Sequence, residues 1–144
     1  MKILVIHGPN LNLLGKREPH IYGVLTLEEI NQLIIKKAAE HNIQVRIVQY
    51  SSEGDIIDEI HEAKNWAKGI VINAGAYSHY SYAIRDAISA VELPTVEVHI
   101  SNTFAREEFR HKSVISPVVN GVIVGLGAYG YLYAIDYLAK IAKA

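Results

Sequence analysis

Short runs of β-branched residues alternate along this chain with longer segments whose apolar side chains recur at helical spacing, a rhythm that few folds accommodate. The stretches Lys2 to Ile6, Gln44 to Tyr50, Gly69 to Asn73, Thr95 to His99 and Gly121 to Gly125 read as strands, most of them apolar almost throughout. Strands of that kind are buried on both faces, the condition inside a parallel sheet covered by helices. Thr26, with Glu29 three residues on, forms a capping box that opens a helix carrying Leu27, Ile30, Leu33 and Ile34 on its apolar face. Ile56, Ile60 and Ala63 mark a second helix. Ile84, Ala87, Ile88 and Val91 mark a third that Pro94 ends, and Tyr131, Ile135, Leu138 and Ala142 mark the last. Short crossovers between parallel strands are right-handed, so the expected architecture is a doubly wound α/β sheet of five parallel strands with helices on both faces.

With 144 residues the chain has material for one domain, 1–144, and with half of them hydrophobic it can offset the entropy of ordering its backbone. Cysteine is absent, which removes disulfide scaffolds, cysteine metal sites and thiol nucleophiles. Lys and Arg number 14 against 15 Asp and Glu, and their scatter provides no basic patch for nucleic acid or an anionic membrane. Met1 to Ile6 is too short for the apolar core of a signal peptide. Ser113 to Ile135 carries no formal charge and is long enough to span a bilayer, but Pro117, Asn120, Gly121, Gly125, Gly127 and Gly130 divide it into strand, turn and helix start. The expectation is a cytoplasmic protein without membrane or nucleic-acid partners. Nine tyrosines and a charged fraction of 20%, against a usual ~25%, suggest a surface partly covered by other copies, that is, a homo-oligomer.

Ligands of an open, flavodoxin-like parallel sheet bind beyond the carboxyl ends of its strands, so the residues after each strand are the informative ones. After the first comes GPNLNLLGKREPHIYG at 8–23, part of a connection of roughly 18 residues where ~2–6 is usual. Its prolines and bounding glycines read as a lid over a site, or else as an interface arm. After the third, NAGAYSH at 73–79 leads into a helix on which His79 and Asp86, seven residues apart, are expected on one face, either as solvated surface or as a site. After the fourth, His99 ends a buried strand with Glu97 two residues earlier on the same side. This is either a satisfied core histidine or a catalytic one whose tautomer the carboxylate holds. In the charge run that follows, from Arg106 to Arg110, most side chains read as a solvated turn with one arginine reaching back to an anion. After the fifth, Gly125 to Gly130 spells a formal G-x-G-x-x-G, but no further strand and no acidic residue ~20 positions on follow it. A tight turn packing a helix start against a ligand or the sheet explains it better.

The chain has no H-E-x-x-H, no G-x-S-x-G and no G-x-x-x-x-G-K-[ST]. Asn10, Arg17, Tyr22, Asn73, His79, Asp86, His99 and Arg110 remain, converging on one crevice. They are equipment for moving protons on a small polar anion.

Four motifs in order, GPNLNLLGKREPHIYG at 8–23, NAGAYSH at 73–79, EVHISN at 97–102 and GVIVGLG at 121–127, resemble type II 3-dehydroquinate dehydratase over essentially the whole chain. The resemblance implies a shikimate-pathway enzyme that removes water from 3-dehydroquinate to give 3-dehydroshikimate, without Schiff base, metal or organic cofactor. It also implies a flavodoxin-like fold assembled as a dodecamer of trimers. By the same resemblance Tyr22 is the base, His99 the acid and Arg17 the lid arginine. Asn10 holds a water against the enolate oxygen, Glu97 orients His99, and Asn73, His79, Ile100, Ser101 and Arg110 contact the substrate. Asp86 would reach a neighbouring subunit's site. A free phenol titrates near ~10, so a basic Tyr22 needs a cation beside it, and Arg17 is the candidate. Tyr80 departs from the pattern, standing where the family has a small hydroxyl residue.

A flavodoxin-like module binding FMN or a phosphorylated ligand is the rival reading, since one fold hosts many functions. The first loop lacks the glycine or hydroxyl cluster that would cradle a phosphate. A signalling receiver domain would need acidic residues after strands one and three, where this chain has Gly-Pro-Asn and Asn-Ala-Gly.

Overall fold

The computed structural model describes residues 1–143. Five strands, β1 (Lys2–His7), β2 (Gln44–Gln49), β3 (Gly69–Asn73), β4 (Thr95–His99) and β5 (Gly121–Val124), form one sheet in the order β2-β1-β3-β4-β5. Every pairing is parallel. The three central strands are buried almost throughout, whereas β2 and β5 lie at the edges and are only partly covered. The expectation of burial on both faces therefore holds for β1, β3 and β4, although β4 buries the polar Thr95, Glu97 and His99, and the exposed Gln44 and Arg46 of β2 are what an edge tolerates.

Between the strands run α1 (Pro19–Tyr22), α2 (Leu27–Glu40), α3 (Glu53–Ala63) and α4 (Tyr82–Val91), and α5 (Tyr129–Ala142) follows β5. Alternate residues of the sheet point to opposite sides and build two cores. Ile3, Val5, Val71, Val96 and Val98 pack against α2 and α5. Leu4, Ile6, Ile70 and Ile72 pack against α3 and α4. The Thr26–Glu29 capping box forms as expected. Two helix faces differ from expectation at one flank: Leu33 is 38% exposed, and α2 buries Ala38 beside Ile30 and Ile34. Ala142 is exposed as well, because α5 buries Tyr131, Ala134, Ile135, Leu138 and Ala139.

Close backbone approaches shape the carboxyl edge of the sheet. A Cβ on Gly8 would lie 2.5 Å from the backbone of Ala74, so only glycine lets the loop after β1 run against the end of β3. The turn after β5 follows the same logic. Gly125 has φ +85°, its amide donates to His99 O, and Gly130 packs against Val98, so this glycine run serves the sheet. The segment 8–23 is not plain loop, since it contains a 3₁₀ turn at Leu11–Leu13 and the four residues of α1. Leu11 and Leu14 anchor its first half in the core, leaving Lys16, Glu18, Pro19 and His20 exposed.

His7, wholly buried at the end of β1, makes stability depend on pH. Burial holds its imidazole down to about 4 from 6.5, with the Asn31 hydrogen bond offsetting only part of the effect. The unfolded chain therefore takes up this proton first. The contribution of a neutral His7 is complete above pH 6.5 and is lost as the pH falls toward 4, by about 3 kcal/mol at ~1.36 kcal/mol per unit. Urea unfolding of wild type and His7→Gln should show stability gaps that differ by that amount between pH 7 and 4. Parallel pH profiles would refute it.

Candidate active site

The ends of β1, β3 and β4 open onto a crevice lined by Asn10, Arg17, Tyr22, Asn73, His79, His99, Ile100, Ser101 and Arg110. These expected residues come from four separated parts of the chain, brought together because parallel strands all end on the same edge. No lysine lines this crevice among the described residues.

Tyr22 closes α1 and is held by two arginines. Arg17 donates from Nη2 to its phenol oxygen at 3.2 Å, with the guanidinium carbon 4.3 Å from the ring centre. Arg106 lies over the same ring at 5.0 Å and donates from Nη1 to Ser101 Oγ at 3.1 Å. Its Nε is buried with no hydrogen-bond partner among the described residues. Arg106 lines the crevice too, which the sequence reading missed in assigning a single arginine of this run to the site. No signal in the local charge pattern separates it from its solvated neighbours; the turn at Thr103–Ala105 carries it back over the crevice.

Across the crevice, His99 and Glu97 share one side of β4, and His99 Nε2 donates to the Glu97 carboxylate. Glu97 is wholly buried and also accepts from the hydroxyls of Ser113, at 2.8 Å, and Ser116. Burial alone would raise its pKa, but the hydrogen bond and charge of His99, helped by both serines, hold it below the usual carboxylate value. A carboxylate can only accept, so His99 keeps its proton on Nε2 and turns Nδ1 to other partners. His79 stacks on His99 with ring centres 6.1 Å apart and planes 18° from parallel. Its Nδ1 donates to Lys112 O at 2.8 Å, and burial, with His99 and Arg110 nearby, lowers its pKa. The neutral ring then offers Nε2 as an acceptor.

Two expectations change, and the packing around Tyr80 becomes visible. His79 does not share a helix face with Asp86, because it ends a 3₁₀ turn at Gly75–His79 and α4 starts only at Tyr82 after the Ser81 cap. Asp86 is exposed on α4 and does not line the crevice of its own chain. Tyr80 does not crowd His79; its exposed ring leans on Tyr77 at 5.7 Å, and Phe109 packs edge-on to the histidine at 6.0 Å. Arg110 is steadied by donating from Nε to Glu107 at 2.8 Å. Asn10, at φ +69°, brings its side chain to the crevice from a left-handed turn.

Three guanidiniums, a phenol and an imidazole backed by a carboxylate therefore face one small volume. Such a set binds an anion and moves protons on it.

A family model described as dehydroquinase class II matches residues 1–139. Among curated proteins, the 3-dehydroquinate dehydratase of Pelotomaculum thermopropionicum is 54% identical over 142 residues, 99% of either chain. That of Bacillus subtilis is 56% identical over 135 residues, 94% of this chain and 91% of its own. Among solved structures, the type II dehydroquinase of Butyrivibrio crossotus superposes with a TM-score of 0.94 at 56% identity, covering 96% of this chain and 97% of that one. The type II dehydroquinase of Propionibacterium acnes gives 0.93 at 46% identity, covering 96% of each.

Proposed function

The chain belongs to the dehydroquinase class II family and is a hydro-lyase of the 3-dehydroquinate dehydratase type, and on that premise we propose that Tyr22 and His99 carry the reaction as base and acid. The observation that carries this division of labour is the pairing of each group. Tyr22 has a guanidinium donating to its oxygen, and His99 has a buried carboxylate behind it.

In this reading the Tyr22 phenolate removes a proton from the carbon beside the ketone of 3-dehydroquinate, and the electron pair of that C–H bond moves onto the ketone oxygen as an enolate. Arg17, donating to its oxygen, and the positive charge of Arg106 over its ring stabilise the phenolate before transfer. Asn10 holds a water against the enolate oxygen, where a neutral donor suffices. The enolate then re-forms the ketone as the carbon–hydroxyl bond breaks, and His99 gives its Nδ1 proton to the departing hydroxyl, which leaves as water. Glu97 balances the imidazolium charge that this step requires. Asn73, His79, Arg110, Ile100 and Ser101 hold the carboxylate and hydroxyl groups.

The chain works as a single catalytic domain with 8–23 as a lid, in the cytoplasm, and as a dodecamer built from trimers. Two surface features support the assembly. Asp86 stands outside its own crevice, free to complete a neighbour's, and Tyr129, Tyr133 and Tyr137 form an exposed aromatic stripe along α5.

The test is to mix purified protein with 3-dehydroquinate and follow the absorbance of the conjugated enone, with a chelator in one arm and borohydride in another. The expected rise is unchanged by the chelator, and borohydride does not inactivate in the presence of substrate, since no crevice lysine can form an imine. Inactivation by borohydride would overturn the mechanism. Absence of a rise from folded protein would overturn the function.

A further inference from the structure

Beneath the crevice, on the α2 and α5 side of the sheet, lies a buried polar chain that runs from Asn73 to three residues the proposed chemistry does not use, Tyr131, His7 and Asn31. Asn73 Oδ1 accepts from the Gly75 amide at 3.2 Å, and Asn73 Nδ2 donates to the Tyr131 hydroxyl at 2.9 Å. The Tyr131 oxygen lies 3.0 Å from His7 Nδ1, and His7 Nε2 lies 2.9 Å from Asn31 Oδ1. His7 and Asn73 are register partners at the ends of β1 and β3, while α2 supplies Asn31 and α5 supplies Tyr131.

The direction of every bond follows from one end. A backbone N–H can only donate, so the Gly75 amide fixes which atom of the Asn73 side chain is the oxygen, and the nitrogen must face Tyr131. Tyr131 accepts that bond and has its own proton left for His7 Nδ1. His7 therefore carries its proton on Nε2, which Asn31 accepts. Burial keeps His7 neutral far below ordinary pH and pushes the Tyr131 phenol up, so neither titratable member of the chain changes state near neutrality. Of the two amide hydrogens of Asn73, one is spent on Tyr131 and one remains.

We propose that His7 and Tyr131 are positioning residues: their hydrogen bonds lock the Asn73 amide in one orientation, so that its remaining N–H is presented as a donor to a substrate oxygen in the crevice. The proposal rests on the reading of Asn73 as a substrate contact. A buried Tyr and His with this much polar wiring are poor choices for packing alone, since an apolar pair would avoid the cost of burying polar groups.

The experiment measures kcat and KM for Tyr131→Phe, alone and in the Asn73→Ala background, together with a crystal structure of the single variant. Removing the hydroxyl is expected to raise KM about tenfold with kcat within about threefold, because binding in ground and transition states weakens alike. In the Asn73→Ala background the same change should have no further effect on KM. His7→Gln, which keeps an acceptor for Tyr131 and a donor for Asn31, should retain a KM near wild type, whereas His7→Leu raises it. An unchanged KM for Tyr131→Phe, or an equal rise without Asn73, overturns the proposal. The crystal structure needs no turnover: Asn73 turned away from its wild-type torsion supports positioning even if the wild type failed to dehydrate 3-dehydroquinate, and Asn73 unmoved overturns it.

Discussion

Tyr22→Phe is expected to lower kcat by about 10² to 10⁴-fold while KM changes by no more than about threefold. The substitution removes one oxygen and leaves the ring on which Arg17 and Arg106 rest, at 4.3 and 5.0 Å from its centre. Both arginines also line the crevice, so the positive field that attracts an anionic substrate survives, and only the proton acceptor is lost. Steady-state rates over a range of 3-dehydroquinate concentrations separate the two constants. A variant that keeps its turnover would move the role of base to another group. A variant with unchanged kcat and a raised KM would make Tyr22 a binding residue.

His99→Ala should abolish water loss to a similar degree, by about 10² to 10⁴-fold, yet leave an earlier step intact. The proposed base lies across the crevice from His99, so the alanine variant can still take the proton beside the ketone and return one from solvent. In deuterium oxide it is expected to exchange that position, read by proton NMR, without forming the enone. Tyr22→Phe is expected to do neither. Loss of exchange in both variants would mean that proton removal and hydroxyl departure are a single event, and exchange in the tyrosine variant would refute its assignment as base. The His99 substitution also strips Glu97 of its largest favourable partner, leaving the buried carboxylate to Ser113 and Ser116 alone. That variant should lose stability as well as turnover, since a buried charge without its partner is costly. Circular dichroism at the assay temperature therefore belongs beside the exchange measurement.

The two cores and the strand order suit a reading by periodicity, because burial on one side of a helix or both sides of a strand repeats every few residues. At Leu33 and Ala142 the expectation fails at the flank of an otherwise correct stripe: α2 buries Ala38 beside Ile30 and Ile34, and α5 buries Ala134 and Ala139 beside Tyr131, Ile135 and Leu138. His79 shows the same limit at the site. Its distance from Asp86 in sequence suits one helix face, but Ser81 caps α4, its hydroxyl oxygen accepting from the amide of Ile84, which leaves His79 in a separate 3₁₀ turn. The cap won because a helix start is set by whichever side chain satisfies its first amides.

What the sequence by itself determined was the kind and order of elements, the edge of the sheet on which ligands meet the chain, and the four motifs that carry its family. These are properties of neighbouring residues, written in short periods and fixed spacings. What only the tertiary structure decided was which side chains meet across long separations: Arg106 folded back over Tyr22, Ser113 and Ser116 holding Glu97, and His7 joined to Tyr131 and through it to Asn73. A hydrogen bond between residues 7 and 131 leaves no periodic trace along the chain, because its geometry exists only after β1 and α5 have packed against each other.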